Sequence, residues 1–337
     1  MTISNGLSRI WQDRNVLVTG VGGFVGSSLA AELIRRSARV VGIVRDSAGT
    51  RQLQARGIHR RVDVVYGSIG DFPLLRRLVA QYEIDTIFHL AASTSRQTAS
   101  RSPLPALESN VAGTWNVLES ARLSPVVERV VVASTDKASS AAGSLEAEAA
   151  SPGRLDPYDA SKACCETLAR CYASSFPLPV AVVQCANVYG PGDTNWSRLV
   201  PGTVRRALTE KDPVIRSDGT PRRDYLYLQD AVEGYLATAE QLPEISGRTV
   251  RLGSGRTISV LELVNLIIAE IRDPGLQPSV LGNESSRSGP APAVPGVTTL
   301  TGWRPATSLA DGIASTVSWY RDFLLPGRVL TLHEGAH

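Results

Sequence analysis

One short run restricts this chain more than any other: Gly20-Val21-Gly22-Gly23-Phe24-Val25-Gly26. It follows an apolar strand pattern, Asn15 to Thr19. It opens a stretch with helical spacing, Ser27 to Arg36, in which Leu29, Leu33 and Ile34 share one face. Gly20, Gly23 and Gly26 give the spacing G-x-x-G-x-x-G. The first glycine allows a tight turn, the second lets a pyrophosphate approach, and the third lets helix and strand pack closely. The phosphates then meet a helix N-terminus, where unpaired N–H groups and the helix dipole favour anions. A glycine triplet alone is a weak signal. Strand, turn and helix in this order point to a dinucleotide site rather than a structural turn, with contacts expected from Gly20, Gly23, Phe24, Val25 and Gly26.

The rest of the first half repeats that alternation. Strands are expected at Arg39 to Val44, Val62 to Tyr66, Thr86 to Ala91, Val127 to Ala133 and Val180 to Gln184. Helices are expected at Asn110 to Ala121 and Tyr158 to Ser174. Apolar strands alternating with helices imply a parallel sheet covered on both faces. The fold class is α/β: a Rossmann-type doubly wound parallel sheet that binds ligands at the carboxyl ends of its strands. The second half differs. Pro191 to Pro221 is rich in Pro, Gly, Asn and Arg, and Gly282 to Pro295 reads as a polar loop. Leu226 to Glu240, Ser259 to Ile271 and Ser308 to Leu325 are expected helices, and Thr249 to Leu252 a strand. The chain thus divides into a dinucleotide-binding domain, residues 12–190 and 226–244, and a smaller C-terminal α/β substrate-binding domain, residues 191–225 and 245–325. Residues 1–11 and 326–337 read as loose termini.

Composition narrows function by exclusion. Net charge is +3 and no basic run carries interleaved aromatics, which argues against nucleic acid. No stretch is long and apolar enough to span a membrane, and the start lacks a leader pattern, so a cytoplasmic protein is expected. Cys164, Cys165, Cys171 and Cys185 lack metal-ligand spacing and histidine is scarce, so reduced thiols and no metal site are expected. Of the 35 Lys and Arg, three are Lys: Lys137, Lys162 and Lys211. Two of them close short motifs, Ser134-Thr135-Asp136-Lys137 and Tyr158-Asp159-Ala160-Ser161-Lys162. Arg holds its proton at working pH, whereas Lys can be tuned to release it. An amine kept at these two places points to proton chemistry. The end of the second strand reads Gly42-Ile43-Val44-Arg45-Asp46. Val44 stands where an acid would grip a ribose 2′-hydroxyl. Arg45 suits a 2′-phosphate and Asp46 suits the hydroxyl, so NADP is favoured over NAD with both open.

Together these motifs resemble the extended short-chain dehydrogenase/reductase family, in particular its nucleotide-sugar 4,6-dehydratases. The resemblance runs from about residue 13 to 325. It is carried by Thr19 to Gly26, Phe88-His89-Leu90-Ala91-Ala92, Asn110-Val111-Ala112-Gly113-Thr114, Ser134 to Lys137, Tyr158-x-x-x-Lys162 and Asn187-Val188-Tyr189-Gly190-Pro191. Further on come Arg198-Leu199-Val200-Pro201, Arg223-Asp224-Tyr225-Leu226-Tyr227 and Gly302-Trp303-Arg304-Pro305. The resemblance implies a tightly bound, recycled NAD(P) and a nucleoside-diphosphate sugar substrate. It implies further cofactor contacts from Ser68, Ile69, Leu90, Ala91, Ala92, Tyr158 and Lys162, and substrate contacts from Thr94. Ser68 departs from many relatives, which carry Asp there. Tyr158 looks like the redox base, Lys162 its partner, and Thr135 the hydroxyl that bonds the sugar's 4-hydroxyl. Asp136 and Lys137 resemble dehydratases, since epimerases usually carry small or apolar residues there. The pair is similar to CDP-glucose and some UDP-N-acetylglucosamine dehydratases, and Gly42 to Arg45 to GDP-mannose dehydratases, so CDP-, UDP- and GDP-linked sugars stay open. In relatives the helices at Asn110 to Ala121 and Tyr158 to Ser174 form a four-helix dimer interface. Ala163, Leu168 and Ala169 suit one, and a homodimer is expected.

The chemistry asks specific things of these residues. A free Tyr has a pKa of about 10, too high for a base at neutral pH. An ammonium one helical turn away and a positive nicotinamide both favour phenolate. Once C4 is a ketone the C5 proton is acidic, and elimination needs a base at C5 and an acid at the C6 hydroxyl. Lys137 suits the first role and Asp136 the second. The diphosphate calls for guanidinium forks, with Arg198, Arg223 and Arg287 as candidates, while the likeness to CDP-glucose dehydratases implies a substrate contact from Arg216. Asn187 suits the sugar-phosphate, and Trp196 a base or simple packing. The rival readings are a 4-epimerase, an enzyme that stops at a 5,6-ene sugar, and a relative that binds nucleotide without catalysis.

Overall fold

The computed structural model describes residues 9–135, 156–284 and 297–324. The apolar runs form strands β1 (Asn15–Thr19), β2 (Arg39–Val44), β3 (Val62–Tyr66), β4 (Thr86–His89), β5 (Arg129–Thr135) and β6 (Val180–Cys185). Later come β7 (Asn187–Tyr189), β8 (Val214–Ser217), β9 (Arg222–Tyr227), β10 (Thr249–Leu252), β11 (Thr257–Ser259), β12 (Ser279–Glu284) and β13 (Val297–Thr298). One eight-stranded sheet has the order β13-β10-β6-β5-β4-β1-β2-β3, and its pairings are parallel. The order reverses between β1 and β4, where such sheets open a crevice for ligands.

Side-chain alternation decides which helix covers which face. Val16 and Val18 pack with Leu29 and Leu33 of α1 (Phe24–Arg35) and Leu236 of the later helix Leu228–Glu240. Leu17, pointing the other way, packs with Leu75 and Leu78 of the helix Phe72–Gln81 and Val117 of Gly113–Arg122. Each such buried Leu contributes roughly 1.5–3 kcal/mol. In chain order the helices after α1 are α2 (Arg51–Ala55), α3 (Phe72–Gln81), α4 (Arg96–Arg101), α5 (Leu104–Leu107), α6 (Gly113–Arg122) and α7 (Pro157–Ser175). They continue with α8 (Leu199–Leu208), α9 (Leu228–Glu240), α10 (Leu242–Ile245), α11 (Val260–Ile271) and α12 (Leu309–Leu324). The smaller lobe centres on Val204, Leu263, Ile267, Val317 and Tyr320, from α8, α11 and α12. No helix among the described residues is long and apolar enough to cross a membrane.

Several expectations are corrected here. Trp11, grouped with the loose N-terminus, is 2% exposed, packs against Phe88 and donates its indole N–H to Glu240 at 2.6 Å. Thr249–Leu252, grouped with the second domain, is β10 and pairs with β6 in the large sheet. The stretch Pro191 to Pro221 contains α8 and β8. Pro201 hides the helix from view, yet it falls in the first turn, where proline is tolerated. Leu226 and Tyr227 end β9 rather than start α9. Gly282 lies in β12, and the rest of the expected loop after Glu284 is outside the described residues. The helix expected from Asn110 begins instead as a π-helical turn, Glu108–Ala112. Ala169 lies in the chain's own core and Leu168 packs against that core. Among the apolar groups left exposed near this helix pair are Leu104, Leu107, Trp115 and Leu123.

Candidate active site

The glycine turn leads from β1 into α1. Gly20 has φ +73°, and a Cβ there would lie 2.8 Å from the Ala91 nitrogen, so the ends of β1 and β4 close on each other. A Cβ on Gly26 would lie 2.2 Å from the Gly20 carbonyl oxygen. Gly22, outside the triplet, is tighter still: its Cβ would lie 1.8 Å from the Gly49 carbonyl oxygen. The segment after β2 therefore folds onto the turn and carries Arg45 and Asp46, both exposed, toward it. Asp46 accepts the Gly49 N–H at 3.1 Å, and Val44 is buried. Gly23 is the N-cap of α1 with no side-chain cap, and the first turn holds no acid. That leaves the N–H groups and dipole of α1 available to an anion. These features fit a dinucleotide. Further along the sheet edge, Ile69 is buried against Gly113, exposed Ser68 accepts the Gly70 N–H, and Leu90, Ala91 and Ala92 are half-buried.

Tyr158 sits at the start of α7, where Asp156 caps the helix by accepting the Tyr158 N–H at 2.9 Å. Lys162, one turn on, is buried and donates from Nζ to the Ala133 carbonyl of β5 at 2.8 Å. Its pKa is pushed down by burial. Burial pushes Tyr158 up to about 12; Asp159 acts in the same direction, and Arg96 and Arg198 oppose it. In this protein the Lys162 amine donates to a backbone carbonyl rather than to the phenol. Below the pair, Glu166 accepts Ser134 Oγ at 2.5 Å and Gln184 Nε2 at 3.0 Å, tying the ends of β5 and β6 together. His89 is fixed between Thr19 and Thr114 hydroxyls at 2.8 and 2.9 Å, and burial holds it down at about 3, so it stays neutral. Thr135, the last residue of β5, lines the main cleft with Tyr158. Asp136, Lys137 and Arg287 lie outside the described residues.

The cleft has a volume of about 1160 Å³ between the two lobes. Val25, Thr94, Asn187, Arg198, Arg216 and Arg223 all line it. Arg198 is held by Asp193 at 3.0 Å, and Asn187 Nδ2 donates to the Asp224 carbonyl at 3.0 Å. Trp196 also lines the cleft, with the Arg205 guanidinium 4.9 Å over its ring and Tyr320 packed against it at 5.8 Å. Gln52 Nε2 donates to the Gly192 carbonyl at 2.9 Å, so the segment after β2 touches the turn that carries Asp193.

Sequence reasoning missed several residues here. Asn110, 1% exposed, accepts the Ser93 N–H at 2.7 Å and donates to Ser161 Oγ at 2.8 Å, pinning the segment after β4 to α7. It stood in the Asn110-to-Thr114 motif as a polar residue in an apolar helical run, and neither signal told of its bonds to Ser93 and Ser161. Arg96 gave none, because its partner Asp159 is distant in sequence, and Asp193 was passed over although it bonds the nearby Arg198 and the Asn195 N–H.

The model of the NAD dependent epimerase/dehydratase family matches residues 16–253. The chain belongs to that family. Its relatives carry both activities. A dTDP-glucose 4,6-dehydratase of Actinoplanes sp. is 31% identical, over 91% of this chain and 97% of its own length. A UDP-glucose 4-epimerase of Mycolicibacterium smegmatis is 30% identical, over 91% and 98%. A trifunctional UDP-glucose 4,6-dehydratase, 3,5-epimerase and reductase of Arabidopsis thaliana is 27% identical over 92% of this chain, which spans 47% of that protein's length. Among solved structures, UDP-glucose 4-epimerase of Thermotoga maritima, crystallised with UDP-glucose, superposes with TM-score 0.73 at 26% identity, covering 92% of this chain and 99% of that one. For this family member, the open N-terminus of α1 is the place that suits the NAD its family uses.

Proposed function

We propose that this protein is an NAD(P)-dependent nucleotide-sugar 4,6-dehydratase that converts a nucleoside-diphosphate hexose to its 4-keto-6-deoxy form. The observation that carries the reading is one cleft lined by Tyr158 and Thr135 together with Arg198, Arg216 and Arg223. Thr135 orients the sugar's 4-hydroxyl and Tyr158 takes its proton. A dinucleotide held with its phosphates at the Gly20-to-Gly26 turn would supply positive charge beside Tyr158 and the hydride acceptor and donor that C4 and C6 require. Lys137 removes the C5 proton made acidic by the ketone, and Asp136 gives a proton to the leaving C6 hydroxyl. The arginines meet the diphosphate. The adjacent Asp136-Lys137 pair, following Thr135 in the chain, favours this over a 4-epimerase, which never touches C5. Turnover in deuterated water tests it: the product should carry solvent deuterium at C5, and an unlabelled C5 would remove the elimination step.

Two finer proposals accompany it. Arg45, exposed beside a buried Val44, favours NADP, since the Asp46 carboxylate already accepts the Gly49 N–H. Arg45→Ala should then weaken NADP binding more than NAD binding by about tenfold, the scale of one charge-assisted hydrogen bond; equal losses in a titration of both would end that preference. The exposed Leu104, Leu107, Trp115 and Leu123 favour a homodimer through this helix face. Light scattering should give twice the 36.0 kDa chain mass, and a monomer at every working concentration would contradict it.

A further inference from the structure

We propose that Arg96 is a positioning residue for the redox base: it crosses from α4 to neutralise Asp159, so that Tyr158 can carry negative charge beside an acid. The proposal rests on the reading of Tyr158 as that base.

The conflict it resolves begins with helix formation. The chain enters α7 through Asp156-Pro157-Tyr158-Asp159. Asp156 caps the helix, and Asp159 adds a second carboxylate to its first turn, where the helix dipole favours negative charge. What starts the helix well is wrong for its second residue. A phenol that must ionise is opposed by a carboxylate next to it. Arg96 Nη2 pairs with Asp159 Oδ2. The two side chains are 42% and 15% exposed, so the pair is partly screened from water. Ser100 of the same short helix donates to Asp156 Oδ2 at 3.3 Å, so α4 meets α7 at both acids.

Arg96 lies on the cleft wall together with Tyr158 and Thr135 rather than behind it. The charged and titratable groups around Tyr158 come from four elements. Asp159, Lys162 and Cys165 belong to α7, Arg96 to α4, Arg198 to the start of α8 and Tyr235 to α9. Lys162 is engaged with Ala133, and Arg198 is held by Asp193. Arg96 is the cation paired with the acid adjacent to the base. Burial and Asp159 raise Tyr158, and Arg96 acts against them.

The test uses the protein with oxidised nicotinamide dinucleotide bound. The absorbance of phenolate is titrated with pH and the curve of Tyr158→Phe is subtracted, which isolates Tyr158 and needs no sugar substrate. Arg96→Gln should raise the midpoint by about one pH unit, and Asp159→Asn should lower it by a similar amount. The double variant should return toward wild type, and Arg96→Lys should stay near it. The pH at which turnover rises should move with these midpoints. If Arg96→Gln destabilises the fold, the downward shift of Asp159→Asn tests the same charge from the other side. An unmoved midpoint, or a rate loss equal at every pH that Asp159→Asn does not relieve, would overturn the proposal and leave Arg96 a structural latch. If the midpoints move but no nucleotide sugar is turned over, the charge relation stands and the dehydratase reading fails.

Discussion

Replacing Tyr158 by Phe is expected to lower turnover by about 10²- to 10⁴-fold, the usual worth of a positioned proton acceptor. The change removes one hydroxyl and little else. The ring stays on the cleft wall, and the Asp156 cap bonds the backbone N–H, which Phe keeps. The glycine turn and the segment after β2, the features that fit a dinucleotide, are untouched by the change, so cofactor affinity should stay within a few-fold of wild type. A fluorescence titration of cofactor beside the turnover assay separates the two effects. Near-normal turnover in Tyr158→Phe would remove the tyrosine from the chemistry.

The second large effect belongs to Lys137. Lys137→Ala should leave oxidation at C4 intact, because that step uses Thr135, Tyr158 and the nicotinamide. It should cut release of dehydrated product by about 10²- to 10⁴-fold, again the scale of a lost general base. The two effects together have a signature: absorbance of reduced cofactor builds up on adding substrate and does not decay. An epimerase with the same substitution would show no such build-up, since its chemistry never reaches C5. If Lys137→Ala forms product at the wild-type rate, the C5 base is another group.

Much of the scaffold is legible in the sequence, for a physical reason. Strands inside a sheet covered on both faces are largely apolar, so β1, β2 and β10 have the same ends in pattern and in structure, and the edge strand β3 does too despite its exposed Asp63 and Tyr66. Elements were lost where one residue type carries two meanings. Pro201 reads as a break but sits in the first turn of α8. Leu226 and Tyr227 suit a strand as well as a helix, and the parallel pairing of β9 with β7 takes them. The glycine triplet was legible because local geometry demands it. Gly22 was not, because its constraint comes from Gly49 across the fold. The same holds in the cleft. Tyr158, Lys162 and Thr135 belong to short local motifs. Arg96 is one arginine among many until the fold brings it to Asp159, and Asn110 looks like a poor helix residue until it is seen bonding Ser93 and Ser161. The surroundings of Tyr158 were legible only in part, since helical spacing relates it to Lys162 but says nothing of burial or of the Ala133 carbonyl that accepts from the amine.

The central claim is that this cleft removes water from a nucleotide sugar. It is tested most directly by incubating the wild-type protein and NAD or NADP with CDP-, UDP- and GDP-linked hexoses and weighing the sugar nucleotide by mass spectrometry. The account predicts that one of them loses the mass of one water, with no net consumption of cofactor, because the hydride taken from C4 returns to C6. Conversion to an isomer of unchanged mass would contradict the account and make the protein a 4-epimerase.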